Sequence, residues 1–192
     1  METIALTGGF EEPAQGAAHA FRSVMEAMAR PGQIREIAGA APPQPLSAAA
    51  GAVLLTLCDT DTPVYLVGDA DCAAVRDWIA FHTGASLVGP VQCMFAVGTW
   101  QALSPLSPYS LGSSQYPDRS ATLIVEMDEL KAEGATLSGP GIKETAALSL
   151  PEFDAFEANR QLFPRGLDFI FTSGSALAAL PRTTRVTAKG AL

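Results

Sequence analysis

Apolar residues recur at helical spacing early in the chain: Ala14, Ala17, Ala18, Phe21, Val24, Met25 and Met28 follow Glu12-Pro13. Arg30-Pro31-Gly32 closes the run, because proline excludes helical backbone from its predecessor and glycine turns the chain. A helix is predicted between these signals. A short strand is expected over residues 34–37 and a surface loop over 38–45. Ser47 is expected to cap a second helix reaching residue 57, apolar on nearly every face and therefore buried. Asp59-Thr60-Asp61-Thr62-Pro63 reads as a turn, followed by a strand over 64–67. Asp69 is expected to cap a third helix carrying Ala73, Val75, Trp78, Ile79 and Phe81 and ending near Gly84.

Residues 93–97 and 121–125 read as strands, the second apolar enough for the middle of a sheet. Between them, residues 104–120 hold Pro105, Pro108, Pro117, Gly112 and the serines Ser104, Ser107, Ser110, Ser113 and Ser114. This is a long loop, either functional or mobile, and it reads as a variable insert. Residues 136–138 and 144–148 flank Gly139-Pro140-Gly141 like two strands around a turn. Ser149-x-x-Glu152, with Pro151, has the form of a capping box for a helix through residue 162. The final clear strand covers residues 167–172. Helices alternating with strands, plus one hairpin-like pair, predict a single α/β domain with a mixed sheet over residues 1–192.

Composition narrows the class. Hydrophobic residues make up 48% and charged residues 17%, a balance that opposes disorder. It also implies a surface poor in charge and partly covered by other subunits. The longest apolar run, from Leu46, stops at Asp59, short of the ~20 residues a membrane helix needs, so no membrane partner is expected. Met1-Glu2-Thr3 lacks the basic opening of a secretory signal. Cys58, Cys72 and Cys93 are widely spaced and form no C-x-x-C, which suits buried thiols in a reducing compartment. The expected location is cytoplasmic.

Charge is uneven. From residue 160 onward, Arg160, Arg165, Arg182, Arg185 and Lys189 face one acid, Asp168, giving that segment about +4. The total of -8 therefore leaves about -12 on residues 1–159. An acidic protein repels polyanions unless its bases gather on one face, so nucleic acid is not an expected partner.

Few residues promise chemistry. Arg165, Arg182 and Arg185 are candidates for clamping a phosphate or phosphonate, with a salt-bridged subunit surface as the competing and favoured reading. Gly139 and Gly141 are candidates for presenting backbone N–H groups to an anion, against the simpler reading of a tight turn. No P-loop pattern occurs. Ser173 and Ser175 flank Gly174, but Gly-x-Ser-x-Gly is absent. His19 and His82 lie too far apart in sequence to promise a metal site, and none is expected. His82 is read as meeting the end of its own helix. Asp59 and Asp61 read as turn caps. Phe21, Met25 and Met28 offer either a partner groove or a core face, with the core as default. Lys131, Lys143 and Lys189 are the only lysines, and none occupies an evident desolvated pocket. No catalytic set is complete.

Several motifs occur in order: Phe21-Arg22, Ala27-Met28, Pro31-Gly32, Leu54-Leu55-Thr56-Leu57, Asp59-x-Asp61-Thr62-Pro63-Val64, Phe81-His82-Thr83, Gly139-x-Gly141-Ile142, Phe163-Pro164-x-Gly166-x-Asp168 and Pro181-Arg182-Thr183-Thr184. Together they resemble the PhnH family, a subunit of the bacterial carbon–phosphorus lyase system. The resemblance implies a three-layer α/β/α fold similar to pyridoxal-phosphate-dependent transferases but without their cofactor site, and so no cofactor. It implies a homodimer joining subunits of the PhnG, PhnI and PhnJ types, with an ATPase-like subunit docking on the assembly. The step it implies joins ribose triphosphate from ATP to an alkylphosphonate and releases adenine, while radical C–P cleavage belongs to the PhnJ-type subunit. It supplies no catalytic residue. Two readings follow: a scaffold that positions partners, or a subunit that contributes arginines to an anion site. A weaker third is an independent transferase retaining the ancestral pocket.

Overall fold

A computed structural model describes residues 7–188. Its elements are α1 (Pro13–Ala29), β1 (Arg35–Glu36), α2 (Ala48–Leu57), β2 (Val64–Leu66), α3 (Ala73–Thr83), β3 (Phe95–Thr99), α4 (Trp100–Leu103), β4 (Thr122–Glu126), β5 (Ala135–Ser138), β6 (Ala146–Leu148), α5 (Asp154–Arg160), β7 (Asp168–Ser173), β8 (Ala176–Leu180) and β9 (Arg185–Thr187). Six strands form one sheet in the order β1-β8-β7-β4-β3-β2, and three form a smaller sheet, β6-β5-β9.

In the large sheet β2, β3, β4 and β7 run parallel, and β8 runs against both β7 and β1. The sheet is therefore mixed, as the alternation of elements predicts. Period-two alternation sends successive side chains to opposite faces. Val97, Ile124 and Ile170 pack with buried residues of α1, α2 and α3. Ala96, Leu123, Val125, Phe169 and Phe171 face the other way, toward α4, α5 and the small sheet. That second layer holds an aromatic cluster in which Phe156 of α5 lies 4.8 Å from Trp100, 4.9 Å from Phe169 and 5.8 Å from Phe171, centroid to centroid. The layer opposite the long helices thus combines a small sheet with short helices.

Local chemistry explains the element ends. Ser47 accepts a hydrogen bond from Ala50 N at 3.1 Å and caps α2. Gly84 ends α3 in left-handed backbone, φ 69°. Asp59 folds its own turn, accepting from Asp61 N at 2.9 Å.

Some elements depart from expectation. Asp69 does not cap α3; it lies in a short 3-10 turn, and α3 starts at Ala73 without a side-chain cap. Ser149 does not cap α5 either. Its Oγ accepts from Lys131 N, while Glu152 Oε1 caps the helix by accepting from Ala155 N. Strand β3 starts at Phe95, two residues later than predicted. β8 and β9 are additional strands. β8 is reached from β7 through a two-residue turn led by Gly174, φ 57°, with Ser173 opposite Ala176. Gly-Ser is a hairpin signal, obscured here by alanines of low strand propensity in β8.

Candidate functional site

Arg182 is the most heavily engaged of the candidate residues. It follows β8, and its backbone N donates to Asp168 Oδ1 at 2.8 Å while its guanidinium forms a bidentate ion pair with the same carboxylate. Nη1 donates to Pro117 O and Nη2 to Ser120 Oγ, each at 2.6 Å. The pair is largely withdrawn from water, with side-chain exposures of 12% and 16%. Arg182 therefore ties the starting residue of β7 to the far end of the 104–120 loop. An incoming phosphonate would have to displace Asp168, which is a poor exchange for a buried pair.

Neighbouring motif residues support that tie. Gly166, φ 129°, brings the backbone against Asn159, whose amide closes a two-way bond with Leu167: Nδ2 donates to Leu167 O at 2.9 Å and Oδ1 accepts from Leu167 N at 2.8 Å. Tyr109, buried in the 104–120 loop, donates to Leu103 O at 3.1 Å. Burial pushes its phenol up to about 12. The loop is packed into the second layer, not a detached insert.

The glycine turn is exposed, but one side of it packs closely against the end of α1. A Cβ on Gly141 would lie 2.0 Å from Ala29 O, and one on Gly32 would lie 2.6 Å from the Ala146 methyl. The end of α1 and the Pro31-Gly32 turn are thus seated closely on one side of the β5–β6 hairpin. Gly139 borders Thr183, Thr184 and Arg185 instead. The structure brings Gly139 and Arg185 together, and Gly166 and Arg182 together. Arg165 and Arg185 are exposed and enter no ion pair among the described residues.

A cleft of about 410 Å³ lies at the carboxyl ends of β3 and β4, where open α/β sheets usually take ligands. Sequence reasoning missed it, because its key residue, Glu126, is a lone acid ending an apolar strand. Glu126 accepts from Ser47 N at 2.7 Å and Thr172 Oγ1 at 3.0 Å, and burial raises its pKa despite those bonds. The N-terminus of α2 thus already holds a carboxylate. Asp128 shares the lining, and no lysine or arginine does, so the cleft does not suit an anionic substrate. Lys131 pairs with Glu129 on the surface, and Lys143 is exposed. Lys189 lies outside the described residues.

A second concavity, about 510 Å³ and mostly apolar, separates residues 104–111 from α5 and also carries no basic side chain. His82 Nε2 sits 3.1 Å from Thr7 O. Ser173 and Ser175 donate to Asp128 O and Glu36 Oε2 at 2.9 and 2.6 Å. Burial raises Cys58 to about 12 and Cys93 to about 11, so both thiols stay protonated. No group of three metal-capable side chains occurs among the described residues.

Apolar side chains left in water are the other prominent feature. Phe21, Met25, Phe81 and Phe163 are 52%, 50%, 55% and 60% exposed. Fold and surface together define a class: an α/β protein whose distinctive residues hold its own architecture while several large apolar side chains, Phe21, Met25, Phe81 and Phe163 among them, face outward. The family model "Bacterial phosphonate metabolism protein (PhnH)" matches residues 8–187, and the chain belongs to the PhnH family. It is 42% identical over 191 residues, covering 94% of both chains, to the "Alpha-D-ribose 1-methylphosphonate 5-triphosphate synthase subunit PhnH" of Rhizobium meliloti (strain 1021). It is 29% identical over 184 residues, 90% of this chain and 86% of the other, to the "Putative C-P lyase subunit protein HtxG" of Stutzerimonas stutzeri.

Proposed function

We propose that this chain is a single-domain assembly subunit of a carbon–phosphorus lyase complex. In that role it holds partner subunits in place while ribose triphosphate from ATP is joined to an alkylphosphonate and adenine is released. One observation carries the reading: Arg182 is committed inside the fold, whereas large apolar side chains stand on the surface, where a monomer gains nothing from them. The partners are a second copy of the chain and subunits of the PhnG, PhnI, PhnJ and ATPase-like types, in the cytoplasm. A fold related to pyridoxal-phosphate-dependent transferases without the cofactor site agrees with an acidic strand-end cleft that no lysine lines.

The alternative assigns direct anion binding to Arg165 and Arg185, which are exposed, with Gly139 beside Arg185. Arg165→Ala and Arg185→Ala in the reconstituted complex separate the two. Assembly and adenine release are measured in parallel. The assembly reading expects turnover to follow complex yield. Full assembly with lost turnover would sink it in favour of the anion site.

A further inference from the structure

Two acceptors compete for one hydroxyl hydrogen beside the strand-end cleft. Thr172 of β7 is fully buried, and its register partner on β4 is Glu126. Its Oγ1 lies 3.0 Å from Glu126 Oε2 and 3.4 Å from Val125 O. A hydroxyl carries one hydrogen and two lone pairs, so it donates fully to one of these oxygens at a time and can accept meanwhile. The other carboxylate oxygen, Oε1, accepts from Ser47 N at 2.7 Å. One side chain thus ties the start of α2 to β7 across the end of β4.

Few charges act on that carboxyl. α2, β3, α4 and residues 44–47 contain no titratable side chain. Asp168 of β7 stands at the other end of its strand, paired with Arg182. Asp128 lines the cleft from an exposed position, and Glu36 accepts from Ser175 Oγ outside that lining. No lysine or arginine lines the cleft to offset the burial of a carboxylate. Burial accordingly raises the Glu126 pKa, while the bonds from Ser47 and Thr172 oppose the rise.

We propose that Glu126 and Thr172 form a proton switch that resets the charge of the cleft without loosening the fold. With Glu126 ionised, the Thr172 hydroxyl donates to Oε2, and the cleft carries the charges of Glu126 and Asp128. When Oε2 takes a proton from solvent, its new O–H donates to Thr172 Oγ1, and the Thr172 hydrogen turns to Val125 O. Oε1 keeps its bond from Ser47 N in both states. Glu126 and Thr172 are therefore hydrogen-bonded on each side of the titration, and neither state leaves a buried polar group unmet. The tie between α2 and β7 outlasts the change, while the cleft keeps only the charge of Asp128. The switch is internal to this chain and stands apart from its assembly role.

Full-length protein labelled with 13C at the glutamate δ-carboxyl tests the switch. One δ-carbon resonance should titrate at higher pH than those of the exposed glutamates, and Glu126→Gln should remove it. Below that midpoint, the infrared C=O band of the protonated carboxyl should sit at the lowered frequency of a hydrogen-bonded O–H. Thr172→Val should shift the band upward, and Thr172→Ser should restore it. In the native chain, which needs no substitution to fold, the 13C shift of the Val125 carbonyl should move with the same midpoint as it gains the Thr172 bond. Near-UV circular dichroism should stay constant through that midpoint. Glu126 titrating together with the exposed glutamates would overturn the switch. A band unmoved in folded Thr172→Val, or a Val125 carbonyl indifferent to the titration, would overturn the relay through Thr172. Loss of tertiary signal at the midpoint would overturn the claim that the fold is kept.

Discussion

Arg182 shows how little an arginine's presence says about what it binds. Its guanidinium serves Asp168, Pro117 O and Ser120 together, a planar fork that lysine does not reproduce. Arg182→Ala would leave Asp168 withdrawn from water without its cation, so roughly 3 kcal/mol should be lost, read by urea denaturation, and Arg182→Lys should recover little. Thr184 presents the opposite case: its hydroxyl is buried with no hydrogen-bond partner among the described residues. Thr184→Val keeps the shape and removes the unmet polar group, so stability should be unchanged or rise by about 1 kcal/mol in the same assay. Glu126 links the fold to pH. Burial raises its folded pKa above the ordinary 4.5, so the folded state binds the extra proton, and its contribution to stability falls as pH rises from 4.5 through the raised folded pKa. Glu126→Gln keeps an acceptor for Ser47 N and should flatten that part of the stability–pH curve.

At the scale of elements, one tight contact joins the end of α1 to the turn of the β5–β6 hairpin. Gly141 has φ 82° and no space for a side chain against Ala29 O, so two penalties coincide at one residue. Gly141→Ala should cost about 3 kcal/mol or more, seen as a lowered melting temperature, whereas Gly174→Ala, with no neighbour within 4 Å, should cost only its turn strain. Elements with strong local signals were legible in the chain: α1 between Pro13 and Arg30-Pro31-Gly32, α2 behind Ser47, and the paired strands around Gly139-Pro140-Gly141. β8 was not, because alanine carries no strand signal until β7 and β1 are there to pair with it. The capping assignments at Asp69 and Ser149 failed for a related reason. Each side chain had other bonds or turns within reach, and only the folded chain selects among them.

For the whole molecule, the question is which surfaces are free. Charge counting along the chain pointed to a basic terminal segment, yet folding divides it: Arg160 pairs with Glu157, Arg182 with Asp168, and Arg165 and Arg185 remain outside. Chain pattern alone determined an α/β architecture, the main helices, the turn at Gly139–Gly141 and, through its motifs, the PhnH family, because these depend on neighbours a few residues apart. Only the tertiary structure decided the pairings between residues far apart in sequence: Gly141 with Ala29, Arg182 with Pro117, and Glu126 with Ser47. It alone showed that α1 has more apolar surface than its own core can cover. Periodicity gives a helix its stripe, but how much of that stripe is buried depends on what the rest of the chain brings against it.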